Sequence, residues 1–124
     1  MLHSESYQFI EKPQSLPNEI PETRIVCLNR EGQEMGWLQY TGLEFDYCIR
    51  IQRLYIKPDF RRQGAGSALL CQLKSQYPEA PIFAHLIRVD KDVSLDEVMD
   101  FFHLNGFEVK QMISMEAEGY FNFD

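Results

Sequence analysis

The stretch "IKPDFRRQGAGSALL", residues 56–70, places the end of a strand-like run directly before the start of a helix-like run. Two glycines, Gly64 and Gly66, lie at the junction behind a pair of arginines. Helix starts usually carry Ser, Thr, Asp or Asn, whose side chains bind the first free amides of the helix. Here the first turn has Ser67 as its only hydroxyl and contains no acid. The leading amides of this helix are therefore predicted to lack an internal partner.

A helix start without a cap favours an anion, because its amides carry partial positive charge and glycine lets a ligand approach the backbone closely. Arg61 and Arg62 add positive charge beside it. A P-loop requires a lysine followed by Ser or Thr, which this stretch lacks. The dinucleotide fingerprint requires a third glycine, where Leu69 stands. The pattern R-x-x-G-x-G remains and fits residues 61–66, with an ordinary tight turn as the alternative.

The strand before this junction shows a slip in its alternation of apolar and polar residues. In "FDYCIRI" the apolar residues occupy odd positions from Phe45 to Ile51, which predicts a strand with one apolar face. Leu54 and Ile56 are apolar at even positions, so one residue is inserted into the alternation. A β-bulge produces such a slip, and a strand buried on both faces is the alternative.

The flanking segments predict an α/β domain with a mixed sheet covered by helices. Helices are predicted over residues 64–77 and from Ser94, where Ser94 and Glu97 form a capping box and Gly106 closes the helix. Residues 11–22 hold three prolines and are predicted to be an extended connector. The other strands are predicted at "YQFI", "TRIVCLN", "MGWLQY", "PIFAHLI", "FEVKQMISM" and "YFNF".

Length and composition bound the class of protein. The 124 residues predict a single domain, 1–124, in which 1–22 is an extended N-terminal segment. The net charge of −7 argues against non-specific nucleic-acid binding. Three cysteines without a CxxC spacing indicate reduced packing residues and no metal site. Because there is no signal pattern and no long apolar run, we expect a cytoplasmic protein that does not enter a membrane.

Two segments carry a resemblance to a known family. The stretch "LYIKPDFRRQGAGSALL" resembles the acetyl-coenzyme A motif of the GNAT superfamily of N-acetyltransferases, and "FFHLNGFE" resembles its second hallmark. The similarity covers residues 45–123. It implies a GNAT-like central mixed, mostly antiparallel sheet flanked by helices. The proline connector stands where the family has a pair of helices, so we expect these N-terminal helices to be shortened or absent.

The resemblance implies that acetyl-CoA is the cosubstrate. Backbone amides of the glycine turn are expected to bind its pyrophosphate. Backbone groups of the bulged strand are expected to bind the pantetheine arm and the acetyl carbonyl. The cofactor-binding residues implied in this way are Leu54, Tyr55, Ile56, Arg61, Arg62, Gln63, Gly64, Ala65, Gly66 and Ser67.

The catalytic groups depart from the family's pattern. Phe102 stands where the family often has a tyrosine that acts as the acid. No glutamate lies in residues 48–56, where the family often supplies a base. The replacement candidates are His85 as the base and Tyr120 as the proton donor. The alternatives are a hydrogen-bonded structural histidine and an ordinary sheet aromatic.

The resemblance implies an enzyme that transfers an acetyl group from acetyl-CoA to an amine of a small molecule or protein by direct attack. The acidic protein would suit a cationic acceptor. The alternative is a non-catalytic CoA-binding or protein-interaction module, which the loss of the acid and of the base would favour. The oligomeric state is left open, with a homodimer as one option.

Overall fold

The computed structural model describes residues 7–13, 22–42, 48–88, 91–113 and 115–123. They form one seven-stranded sheet in the order β1-β2-β3-β4-β5-β7-β6, with two α-helices and a short 3-10 turn at Pro58–Phe60. The elements are β1 Gln8–Pro13, β2 Glu22–Leu28, β3 Glu34–Thr41, β4 Ile49–Ile56, α1 Ala65–Gln76, β5 Ile82–Leu86, α2 Leu95–Leu104, β6 Glu108–Ile113 and β7 Glu116–Phe121.

The sheet is mixed and mostly antiparallel, which confirms the predicted fold class. β4 and β5 pair in parallel, whereas the other described strand pairs are antiparallel. The parallel pair follows from the connection, because a helix between two strands returns the chain to run in the same direction. Residues 14–21 separate β1 from β2, and this part of the predicted connector lies outside the described residues.

The predicted β-bulge lies in β4. Gln39 of β3 pairs with Arg53, and the next β3 residue, Tyr40, pairs with Ile51. Gln52 is therefore the inserted residue, and the bulge that accommodates it keeps Leu54 on the side of the sheet that faces the core. Residues 45–47 of the predicted alternation lie outside the described part of the chain.

Both helices pack on one face of the sheet. α1 covers β2, β3 and β4, and α2 covers β5, β6 and β7. Alternate strand residues meet the helices in one apolar cluster, because successive side chains of a strand point to opposite faces. Its members include Ile25, Leu38, Ile49, Ile51, Leu69, Leu73, Ile82, Ala84, Leu86, Phe102 and Phe107.

Within the described residues, two strands differ from their predicted bounds by three residues or more at one end. β1 continues through Pro13 into the predicted connector, because an edge strand tolerates a residue without an amide hydrogen. β7 begins at Glu116, four residues before the predicted "YFNF". The first residues of β7 are mostly polar and do not form an apolar run, so the sequence pattern does not predict them as a strand. They are held in the strand by pairing with β5.

The cysteines divide into two classes. Cys27 and Cys48 are buried, as predicted for packing residues, and burial raises the pKa of Cys27 to about 11. The same prediction is wrong for Cys71, which is exposed. Cys71 lies between the buried Leu70 and Leu73 but outside the stripe of α1 that contacts the sheet.

Candidate functional site

A cleft opens where β4 and β5 separate. The two strands pair only through Ile49–Ile51 of β4 and Ile82–Ala84 of β5. The next residue of β4 is the bulged Gln52, so the pairing ends where the bulge begins. The cleft has a volume of about 860 Å³ and is lined by β4, β5, the start of α1 and α2.

The start of α1 faces this cleft without a cap of its own. Gly64 is the N-cap residue, with a φ of 87° and no side-chain hydrogen bond, and the first turn has no acidic residue. The amide of Ala68 donates to the Gly64 carbonyl at 2.9 Å. The amides of residues 65–67 come before this bond and have no intrahelical acceptor. Because Gly64 to Ser67 all line the cleft, the partial positive charge of the helix start lies at the cleft wall.

The two glycines of the junction have different structural roles. Gly64 takes a left-handed conformation, with a φ of 87°, which residues with a side chain rarely adopt. A Cβ on Gly66 would lie 2.9 Å from Cζ of Phe101 on α2. Gly66 therefore lets α2 pack closely against the start of α1, in addition to leaving room for a ligand.

The two arginines of the loop also differ. The Arg61 Nε–H donates to the Ile56 carbonyl at 3.0 Å, and its Nη1 lies 3.3 Å from Asp92 Oδ2. Arg61 thus fastens the loop to the end of β4. The Arg62 side chain is 88% exposed, and its Nη2 lies 3.5 Å from Glu97 Oε2. Arg62 is therefore the arginine whose charge is presented at the mouth of the cleft.

Most of the predicted cofactor-binding residues lie together at the cleft. Tyr55 and Gln63 are not among the lining residues. The Tyr55 ring packs 5.7 Å from the Trp37 ring on the face of the sheet away from the helices, and the Gln63 side-chain amide donates to the Asp59 carbonyl at 3.1 Å. The residues that line the cleft are Leu54, Ile56, Arg61, Arg62, Gly64, Ala65, Gly66 and Ser67.

Several cleft residues were not predicted to be part of a site. Arg53, Asp92, Glu97, Val98 and Phe101 also line the cleft. Phe101 belongs to the segment "FFHLNGFE", which the sequence already indicated as the end of the second helix. The ion pairs of Asp92 and Glu97 carry no local signal, because their arginine partners lie more than thirty residues away.

His85 lines the cleft as the first residue of β5 beyond the parallel pairing. It is exposed, and its Nε2 lies 2.5 Å from Glu116 Oε1 on β7. The sequence prediction placed a histidine on a strand that separates from the bulged strand, and the backbone has this arrangement. Its role as a base stays a prediction.

Tyr120 and Phe102 lie in different environments. Tyr120 lies on the face of the sheet away from the helices, next to Phe83, and is not among the residues lining the cleft. Its hydroxyl donates to Glu118. This hydrogen bond is the main cause that raises the pKa of Tyr120, with desolvation and the charges of Glu118 and Glu108 adding to it. Phe102 is buried at 3% exposure, with its ring perpendicular to that of Phe107.

Two further features are not found among the described residues. These residues contain no group of three or more His, Cys, Asp or Glu side chains placed to hold a metal ion. Within the same ranges, no helix has the length and apolar character needed to cross a bilayer.

The fold, with its cleft between β4 and β5, has the GNAT architecture. The sequence model of the acetyltransferase (GNAT) domain matches residues 21–109. The chain therefore belongs to the GNAT acetyltransferase family, for which acetyl-CoA is the typical cosubstrate. No curated protein sequence matches the chain significantly.

Solved structures share the fold at low sequence identity. The PaiA N-acetyltransferase of Thermoplasma acidophilum, in complex with coenzyme A, is 14% identical with a TM-score of 0.64, covering 82% of this chain and 61% of that one. A mutant of the spermidine N-acetyltransferase SpeG of Vibrio cholerae is 13% identical with a TM-score of 0.62, covering 84% and 65%. Ard1 of Thermoplasma volcanium is 24% identical with a TM-score of 0.60, covering 78% and 67%. This chain thus spans about two thirds of the length of these proteins or slightly less.

Proposed function

We propose that this protein is an N-acetyltransferase that transfers the acetyl group of acetyl-CoA to an amine of a small molecule or protein. The observation that carries the proposal is the uncapped start of α1, which faces the cleft formed where the bulge in β4 ends its pairing with β5. At one place the structure combines a bulge, a separation of two strands and an uncapped helix start. Together these would provide the backbone groups that bind an acyl-CoA.

The cleft suits the cosubstrate in charge and in size. Its volume of about 860 Å³ falls within the ordinary range of ligand pockets, about 300–1,000 Å³. The amides of Gly64 to Ser67 and the exposed Arg62 would bind the pyrophosphate. Beyond Ile51 the edge of β4 faces the cleft instead of a neighbouring strand. Backbone groups of Leu54, Tyr55 and Ile56 on this strand would bind the pantetheine arm and the acetyl carbonyl.

The reaction requires a neutral amine, because a protonated nitrogen has no electron pair for attack. An alkylamine has an ordinary pKa of about 10.4 and is mostly protonated at neutral pH. His85 would accept that proton. The amine nitrogen then bonds to the thioester carbonyl carbon, and an amide of the bulged strand would stabilise the negative charge on the oxygen. When the carbon–sulfur bond breaks, the thiolate takes up the second proton lost by the nitrogen.

The loss of the family's tyrosine does not prevent this reaction. An ordinary thiol has a pKa of about 8.5, so a thiolate leaves without a strong acid beside it. Tyr120 remains the candidate for a proton donor, although its hydroxyl binds Glu118. We assign it the smaller contribution, because its raised pKa makes it a weaker acid.

A charge placed at Ser67 tests the cosubstrate site. Ser67 is exposed in the first turn of α1 and lines the cleft. Ser67→Glu should abolish acetyl-CoA binding measured by calorimetry, because the carboxylate would compete with the pyrophosphate for the same amides. The fold should persist, since an acid in the first turn stabilises a helix.

Ser67→Gln is the matched control, because glutamine has nearly the same shape as glutamate without the charge. It should retain binding within a few fold of the unsubstituted protein. Equal affinities of the two variants would exclude the α1 start as the pyrophosphate site. An unsubstituted protein that does not bind acetyl-CoA at millimolar concentration would refute the proposed function.

The second candidate is a non-catalytic module that binds coenzyme A. Phe102 favours this second candidate, because a buried phenyl ring has no proton to donate to the leaving thiolate. A screen of primary amines with an assay for released thiol distinguishes the two functions. Turnover with any amine establishes the enzyme, whereas tight binding without turnover across polyamines, amino acids and peptide N-termini establishes the module.

A further inference from the structure

A carboxylate on β7 contacts the cleft histidine. β5 and β7 are antiparallel, with His85 opposite Glu118 and Leu86 opposite Ala117. Glu116 lies diagonally across from His85 on the same face of the sheet, and diagonal neighbours of this kind are within reach of long side chains. Its Oε1 lies 2.5 Å from His85 Nε2.

The two acids of β7 have different partners. Glu118 accepts a hydrogen bond from the Tyr120 hydroxyl, whereas Glu116 contacts the His85 ring. The side chains of Glu116 and His85 are 41% and 47% exposed. Both side chains are therefore accessible to a substrate, at the point where β5 separates from β4.

The hydrogen bond fixes which ring nitrogen is available. An ionised carboxylate only accepts hydrogen bonds, and a neutral imidazole has one N–H and one lone pair. The contact with Glu116 therefore places the proton on Nε2 and leaves the lone pair on Nδ1. A partner that holds the N–H side of a histidine sets its tautomer and ring orientation.

We propose that Glu116 is a positioning residue that holds His85 with Nδ1 as the nitrogen that takes the proton of the acceptor ammonium. This inference rests on the proposed function. The proton moves from the ammonium nitrogen to Nδ1, the ring becomes an imidazolium, and Glu116 stabilises its Nε2–H. After acyl transfer the ring returns this proton to solvent.

Other charged groups lie on the neighbouring strands and along the cleft. Glu116 and Glu118 belong to β7, and Arg50 and Arg53 belong to the neighbouring β4. The α2 side of the cleft adds the acids Asp92, Glu97 and Asp100. Among these groups, Glu116 is the one with a described hydrogen bond to the ring.

A double-mutant cycle tests whether Glu116 acts through His85. A positioned general base contributes about 10²–10⁴-fold to the rate, so we expect His85→Gln to lower kcat by about 10²-fold or more. Glu116→Ala should lower kcat by about 10-fold or more, with the KM for acetyl-CoA within twofold. The double variant should be no slower than His85→Gln, because residues that act as a unit are not additive.

Glu108→Ala is the matched control. Glu108 is a carboxylate on β6 that lies opposite Tyr120, one strand farther from His85. Its charge is the smallest of the causes that raise the pKa of Tyr120, so its removal should change kcat less than twofold. A further loss in the double variant would mean that Glu116 acts independently of His85, and full activity of Glu116→Ala would also overturn the inference.

A spectroscopic measurement separates this inference from the proposed function. Proton NMR of the ligand-free protein should show a low-field Nε2–H signal that disappears in both His85→Gln and Glu116→Ala and persists in Glu108→Ala. Absence of this signal from the unsubstituted protein would overturn the pairing even if the enzyme is active. If the signal is present but no amine is acetylated, the proposed function fails and the catalytic role of the pair fails with it.

Discussion

Phe102 packs in the core at a position where the family often has a catalytic tyrosine. The family often has a tyrosine hydroxyl at this position, but here the ring lies in the core at 3% exposure. It makes perpendicular contacts with Phe101 and Phe107 at ring separations of 5.4 and 5.1 Å. Such aromatic pairs stabilise a core beyond the area they bury. The residue therefore contributes to stability, and the acid must come from another group or be unnecessary.

Truncating this ring should destabilise the protein strongly. Phe102→Ala should lower the free energy of unfolding by about 3–5 kcal/mol, because it removes buried apolar surface and leaves a cavity. Urea unfolding followed by circular dichroism measures the change. Leu104→Ala is the control on the same helix, since Leu104 is 83% exposed and should change stability by less than about 0.5 kcal/mol. A similar small effect for both variants would contradict the core role.

The two helices begin in opposite ways. At α2, the Ser94 Oγ accepts from the Glu97 amide at 3.1 Å, and the Ser94 amide donates to Glu97 Oε1 at 3.1 Å. At α1, Gly64 supplies no side chain and the first turn has no acid. When a helix binds its first amides with its own side chains, that end has only a structural role. When the first amides have no cap, they are available to a ligand. The contrast within one chain supports the functional interpretation of α1.

The contrast predicts a difference between two serine substitutions. Ser94→Ala should cost about 1 kcal/mol of stability, because it removes the side chain that binds the Glu97 amide. Ser67→Ala should change stability by less than about 0.5 kcal/mol, since Ser67 is exposed and has no described capping bond. Thermal and urea unfolding measure both. A comparable loss at Ser67 would show that α1 is capped by its own residues.

The capping box should also make stability depend on pH. The backbone hydrogen bond from Ser94 is the main cause that lowers the pKa of Glu97. A carboxyl whose pKa is depressed on folding adds stability above its ordinary value, about 4.3, and this stability is lost as the pH falls through the folded pKa. The stability difference between the unsubstituted protein and Glu97→Gln should therefore be present at pH 7 and shrink toward pH 3. A difference that is the same at both pH values would refute this assignment.

At the scale of the whole molecule, one inserted residue shapes the site. The bulge at Gln52 keeps Leu54 on the core side while Arg53 points to the other face. It also coincides with the end of the pairing between β4 and β5 and therefore with the cleft. The cleft of this acidic protein is lined by three arginines, Arg53, Arg61 and Arg62, and by three acids, Asp92, Glu97 and Asp100. A change of register in a central strand would alter the core and the site together.

Deleting Gln52 should test the role of the bulge. Without the inserted residue Arg53 follows Ile51 directly, so the alternation becomes regular and Leu54 and Ile56 stay on the core side. The core face is kept but the bulge is lost, so we expect cooperative unfolding to persist and acetyl-CoA binding to be lost. Gln52→Ala is the control, because it keeps the length of the strand and should retain both properties. A deletion variant that binds acetyl-CoA like the control would show that the bulge is not required.

The sequence by itself determined the features whose cause is local. The slipped alternation predicted the bulge, the glycines and missing acids predicted an uncapped helix start, and Ser94 with Glu97 predicted the capping box. Tertiary structure decided the contacts between distant segments: Arg62 with Glu97, His85 with Glu116, and β5 with the polar start of β7. The physical reason is that alternation and capping act within a few residues, whereas pairing across a sheet depends on strand order and register.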